Sequence, residues 1–246
     1  MASDDIPSII SPTTILSLLS TLLILLAAYL SSLALLPKNF TPQTRFLFIW
    51  HAFDALIHFF LEGSYLYNCF FSYAVVDPAD LLSASAYLPP NVYFLGHSDR
   101  VYGSEYGSNV FAKLWMEYAR ADKRWGGSDL TVISLELLTV FIGGPLALYI
   151  CHSLRKNSPS AWFWMTVLAT AELYGGFLTF APEWLTEKVG FENLDTSNAM
   201  YLWIYLVFFN AALWVLIPLY ILREAYGRIC EGLRVMALVE GGKKRV

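Results

Sequence analysis

Charge is scarce in this chain: Asp, Glu, Lys and Arg make up 15% of 246 residues, where a soluble domain carries about a quarter. Cysteine is scarce too. Cys69, Cys151 and Cys230 are odd in number and scattered, which excludes a disulfide framework and any C-x-x-C zinc spacing. The closest histidines in the apolar half of the chain, His51 and His58, are seven residues apart. The tight His-x-x-x-His pair of a zinc helix is therefore missing, and no metal is expected. There is no G-x-S-x-G elbow and no Gly-rich phosphate loop. No long basic block invites nucleic acid. What the chain has instead is apolar residues, at 57%, and aromatics, at 16%.

These proportions point to lipid as the main solvent. A helix needs about 20 apolar residues to cross a bilayer, and five stretches qualify. They are Ile15–Leu36, Arg45–Phe71, Leu130–Cys151, Ala161–Phe180 and Ala199–Leu222. The first is free of charge and too long for a signal peptide, and its prefix carries Asp4 and Asp5 rather than a basic segment. It reads as a retained helix. Between the second and third stretches lies a polar loop, about residues 72–109, with Pro78, Pro89 and Pro90. An amphipathic surface helix over Val110–Trp125 follows it. The expected fold is an all-α membrane protein, a bundle of five transmembrane helices with an amphipathic lumenal helix and a long lumenal loop. Its parts are an N-terminal segment with the first helix (1–44), a four-helix core (45–223) and a basic tail (224–246).

Five spans place the termini on opposite sides. Ten of the 16 basic residues fall on the side of the C-terminus, among them Lys38, Arg155, Arg223 and Lys243. The positive-inside rule makes that side cytosolic and the N-terminus lumenal. The chain closes on Lys243-Lys244-Arg245-Val246, which resembles a dilysine signal for the endoplasmic reticulum.

Ionisable residues inside a span are costly and usually face the bundle interior. The second span carries His51, Asp54, His58 and Glu62, spaced 3, 4 and 4 along one helical face. His58 and Glu62, one turn apart, can share a proton, as acid–base chemistry requires. His51 and Asp54 have a plainer alternative as residues at the headgroups. The third span carries Glu136 with Thr139. The fourth carries Glu172 beside Tyr174. The fifth carries Asn210 and Trp214, whose alternatives are helix–helix hydrogen bonding and ordinary packing.

Taken in order, these residues form a recognisable set. It runs His58-x-x-x-Glu62-Gly63, then Leu114-Trp115-x-Glu117-Tyr118-Ala119-x-x-Asp122, then Glu136-x-x-Thr139 with Gly144-Pro145-Leu146. Tyr174-Gly175, Tyr201-x-Trp203-x-Tyr205-x-x-Phe208, Asn210, Trp214 and Pro218 complete it. Together, over about residues 45–223, they resemble the emopamil-binding protein family, whose core is the EXPERA domain. The resemblance implies a five-helix fold in the endoplasmic reticulum membrane, isomerisation of a sterol 8-ene to the 7-ene, and no metal or redox cofactor. It makes His58, Glu62, Glu136, Asn210 and Trp214 the catalytic candidates. Thr139, Tyr118, Asp122, Tyr174, Asp54 and Glu172 become the substrate-binding candidates. Cationic amphiphilic amines are the implied inhibitors, and a homodimer is a further expectation.

The chemistry suits the residues. Protonating an alkene gives a tertiary carbocation, which buried carboxylates and an indole face stabilise. His58 and Glu62 are expected to hold the delivered proton, Glu136 to assist its removal, Trp214 to cover the cation, and Asn210 and Thr139 to orient the carboxylates. The chain departs from the family's pattern in its longer loop, in the four-residue spacing of Asn210 and Trp214 where three is usual, and in two acids, Asp54 and Glu172, where neutral residues are usual. The alternatives are therefore an isomerase or cyclase of a non-sterol terpenoid, and a non-catalytic sterol- or lipid-binding protein.

Overall fold

A computed structural model describes residues 12–77, 88, 91–185 and 192–243. The acidic prefix, most of the Pro-containing half of the long loop, Lys188 and the last three residues of the dilysine-like end lie outside these.

The chain is mostly helical. Helix α1 (Pro12–Leu35) is the charge-free first stretch. Only 11% of its most apolar window is buried within the protein, and Leu22 and Leu23 stand 58% and 63% exposed. A helix apolar all round yet uncovered by protein needs lipid to cover it. Helix α2 (Pro42–Leu56) starts where sequence rules place a start: Thr41 accepts from the Thr44 amide and Pro42 fills the first turn. It runs through a π-helical turn, Ile57–Glu62, into α3 (Gly63–Phe71). The third apolar stretch is built in the same way, as α5 (Leu130–Leu138), a π-helical turn (Thr139–Gly143) and α6 (Gly144–Arg155). Asp129 caps α5 through the Val132 amide. Helix α7 spans Ser160–Trp184. A long π-helical segment, Tyr201–Leu216, then passes into α8 (Ile217–Lys243).

Four helical runs are long and apolar enough to cross a membrane: Pro12–Leu35, Pro42–Phe71, Leu130–Arg155 and Tyr201–Gly241. The expected fourth span, α7, is long enough at 25 residues, but it is not among these apolar runs. It packs between α6 and α8. The last helix also exceeds expectation, continuing through most of the segment read as a basic tail.

The long loop is more ordered at its base than its composition implied. Strands β1 (Tyr73–Val75) and β2 (Arg100–Tyr102) pair antiparallel, Tyr73 opposite Tyr102. Gly103 follows with φ +139°, and a Cβ there would lie 2.6 Å from the Gly126 carbonyl oxygen. Only glycine serves at such a contact. The surface helix α4 is shorter than expected, covering Val110–Tyr118. It stops because the Asp122 side chain caps a separate 3₁₀ turn, Lys123–Trp125, ahead of Gly126 and Gly127.

Two apolar clusters result. One joins α2, α6, α7 and α8 through Leu47, Phe48, Ile150, Met165 and Ile221. The other joins α3, α4 and α5 through Tyr65, Trp115, Trp125 and Val132, with the Trp115 and Trp125 rings stacked at 4.9 Å.

Candidate active site

The two short π-helical turns pack against each other, and the polar residues gather around them. A π-helical turn breaks the regular α-helical ladder and so re-aims the side chains that follow, and such turns recur at functional sites. His58 is buried at the start of the first turn. Its Nδ1 lies 2.5 Å from Glu62 Oε2. Its Nε2 lies 2.9 Å from Asp54 Oδ1. One imidazole therefore stands between two carboxylates of its own helix. The stripe read from the spacing is real, except that His51 turns away to the Leu47 carbonyl, 2.7 Å from Nδ1.

Across the interface, Thr139 Oγ1 donates to Glu136 Oε2 at 2.8 Å, and Glu136 lies in electrostatic contact with Glu62. Two glycines make this approach possible. A methyl group at Gly143 would sit 3.3 Å from His58 Nε2, and one at Gly144 would sit 2.9 Å from the Phe59 ring. Gly144→Ala is thus expected to destabilise the fold by about 1–3 kcal/mol, the usual effect of overpacking. Thermal unfolding in detergent checks this, and an unchanged midpoint would mean Phe59 has room to yield.

Trp214 covers the site, its ring stacked on His58 at 6.0 Å and 5.2 Å from Trp50. Glu172 enters from α7 with both carboxylate oxygens shielded, and it interacts with Asp54. Asp54, His58, Glu62, Glu136, Thr139, Glu172 and Trp214 are thus brought to one place from four helical runs. Among the described residues, no lysine or arginine forms an ion pair with any of these four acids.

Other candidates are placed differently. Asn210 donates its side-chain amide to the Tyr205 carbonyl, 2.7 Å away, within its own helix. Tyr174 is 70% exposed on the outer side of α7. Asp122 is fully buried, yet its carboxylate is occupied by Arg124, which donates from Nε at 2.9 Å and from a terminal nitrogen at 2.6 Å. Tyr205 Oη donates to the same carboxylate at 3.1 Å. The Tyr118 ring packs edge-on against Tyr205 at 4.6 Å, and burial pushes the Tyr118 hydroxyl pKa upward. Nothing in the sequence alone singles out Arg124.

Chemically, the cluster can hold and move protons among four carboxyls and one imidazole, under an indole face and, among the described residues, without a lysine or arginine ion pair. Residues 110–225 match the family model EXPERA (EXPanded EBP superfamily), a stretch that begins beyond Asp54, His58 and Glu62. The chain is 33% identical over 113 residues to the 3-beta-hydroxysteroid-Delta(8),Delta(7)-isomerase of Cavia porcellus, covering 46% of this chain and 48% of that protein. It thus spans about half the length of that relative. A probable enzyme of the same name from Oryza sativa is 25% identical over 213 residues, 87% of this chain and 80% of that one. The isomeliandiol synthase of Melia azedarach is 24% identical over 189 residues, covering 77% and 71%. Residues 110–225, a little under half of the chain, are thus similar to the EXPERA domain of the emopamil-binding protein family.

Proposed function

We propose that this protein isomerises the 8-ene of a 3-hydroxysterol to the 7-ene, by proton addition and removal within the helical bundle. One observation carries the reading: Glu62, bound to His58 at 2.5 Å, faces Glu136 and Thr139 beneath the Trp214 ring. The Glu62–His58 pair delivers a proton to one alkene carbon, and the electron pair of the double bond forms the new C–H bond. The tertiary cation left on the neighbouring carbon is stabilised by Glu62 and Glu136 and by the face of Trp214. Loss of a proton from the next carbon to a carboxylate then forms the shifted double bond. The proton returns to the donor through the contact between Glu62 and Glu136. Exclusion of water protects the cation from capture as an alcohol. The four apolar helical runs and the names of the relatives support this reading.

On the same reading the protein resides in the endoplasmic reticulum membrane, with a lumenal N-terminus, a cytosolic C-terminus and α7 as a fifth span. Protonated amphiphilic amines, which mimic the cation, are competitive inhibitors.

The test is sterol profiling of a host that lacks its own 8,7-isomerase. Expression of the chain is expected to deplete 8-ene sterols and produce 7-ene sterols. An unchanged profile, with the protein present in membranes, would overturn the reading. A second reading, isomerisation or cyclisation of a non-sterol terpenoid, is favoured by the additional acids Asp54 and Glu172 and by the isomeliandiol synthase relative. Consumption of such a terpenoid alongside an unchanged sterol profile would select it.

A further inference from the structure

The mechanism above gives Asp54 and Glu172 no role, yet both belong to the same cluster. Glu172 of α7 hydrogen-bonds Asp54 of α2, and the four oxygens of the two carboxyls are closed to solvent. Asp54 Oδ1 lies 2.9 Å from His58 Nε2, and His58 Nδ1 lies 2.5 Å from Glu62 Oε2. Glu62 in turn hydrogen-bonds Glu136 of α5, whose carboxyl accepts from Thr139. Five ionisable groups thus form one unbroken line across the bundle, from α7 to α5, with the imidazole at its centre. The imidazole is pinned there. Trp214 stacks on its face, and Gly143 approaches so closely that a Cβ there would lie 3.3 Å from Nε2.

The chemistry of each link fixes what it holds. A carboxylate only accepts, so two carboxyls hydrogen-bond each other only when one of them carries a proton. The Asp54–Glu172 and Glu62–Glu136 links therefore hold one proton each. An imidazole nitrogen and a carboxyl oxygen likewise share one, so every link in the line stores a proton. Among the described residues, no lysine or arginine ion pair competes for these carboxyls. We propose that Asp54 and Glu172 are a proton store for Glu62, coupled to it through the two nitrogens of His58. The proposal rests on the reading of Glu62 as proton donor to an alkene. When Glu62 donates, its O–H bond breaks and the electron pair of the double bond forms the C–H bond. The Nδ1 proton then crosses to Glu62, Nε2 takes the proton of Asp54, and Asp54 takes the proton of Glu172. Each bond broken along the line is matched by one formed, and the negative charge left by the departed proton is spread along the line instead of resting on Glu62. Removal of a proton from the cation runs the shift backward. Asp54 and Glu172 act through His58 in this scheme and are positioning residues.

The test has two readouts on the purified full-length chain in lipid nanodiscs. The first, infrared spectroscopy of the carbonyl stretch of protonated carboxyls, needs no turnover. Glu172→Gln is expected to remove one band, and Asp54→Asn is expected to shift that same band, because the two residues share the proton behind it. A band that Asp54→Asn leaves unmoved, or no band lost with Glu172→Gln, would overturn the proposal. Should Asp54→Asn fail to accumulate, Asp54→Ser serves for the same shift. The second readout is conversion of an 8-ene sterol. Glu172→Gln and Asp54→Asn are each expected to lower kcat by about tenfold or more, short of the loss for Glu62 itself. KM should stay within about twofold, since neither residue acts on the substrate directly. An unchanged kcat, or a loss confined to KM, would overturn the role as a store. The infrared shift without sterol conversion by the wild type would remove the isomerase and keep the shared proton, and conversion with an unmoved band would do the reverse.

Discussion

Glu62→Gln is expected to lower the rate of 8-ene to 7-ene conversion by about 10²- to 10⁴-fold, the usual worth of a positioned acid or base. That corresponds to about 3–5 kcal/mol on the barrier. The substitution keeps shape and volume, and its amide can still hydrogen-bond His58. What it removes is a group that carries a proton at one moment and a charge at the next. Glu136→Gln should have a similar effect for a different reason. It takes away the second carboxylate that faces the same region and the acceptor of the Thr139 hydroxyl. If the two act as one unit, the double variant should be hardly worse than either single one. Conversion assays on membranes containing equal amounts of each variant settle the matter. Full turnover by both single variants would remove the proposed mechanism.

The second large effect concerns stability. Asp122→Asn is expected to cost about 3–5 kcal/mol, because removing the closer member of a buried ion pair leaves Arg124 only the Glu183 carboxylate, 3.8 Å away. Arg124 is 3% exposed at its side chain and Asp122 is fully buried. Burial opposes charge on Arg124, but the Asp122 carboxylate beside it more than offsets that and holds the guanidinium pKa above its usual range. The pair also ties distant parts of the chain together. Arg124 donates to the Thr179 carbonyl of α7 at 2.5 Å, Tyr205 reaches Asp122 from the last helical run, and Asp122 bridges to Leu194. Replacing both partners, as Asp122→Asn with Arg124→Met, should cost less than the two single changes added together, since neither charge is then left alone. Thermal unfolding in detergent measures all three variants. A single variant as stable as the wild type would mean the network closes over other partners.

The residues that carry these predictions were not equally readable from the chain. Four of the five apolar stretches are visible as the long apolar helical runs, because a bilayer allows only segments that satisfy their own backbone and hide it behind apolar side chains. The His58–Glu62 contact was readable because residues four apart on a helix meet. Arg124 was not, since an arginine two residues from an aspartate is ordinary on a surface, and only packing against Tyr205 and α7 removes the pair from solvent. The ladder of Tyr73 with Tyr102 was hidden because its strands are only three residues long and lie far apart in sequence. The π-helical turns at Ile57–Glu62 and Thr139–Gly143 were hidden because apolar spacing is the same in lipid whether or not one turn is widened.

By itself, then, the sequence determined that helices of this chain lie in lipid, that acids and a histidine interrupt them, and which neighbours within a helix those groups meet. Lipid and the helical repeat act locally, and local rules suffice for that much. Only the tertiary structure decided that Glu136 faces Glu62, that Glu172 faces Asp54 across more than a hundred residues of chain, and that Asp122 is taken by Arg124. Those pairings depend on the order in which helices pack and on the close approach that Gly143 and Gly144 permit, and no periodicity records either.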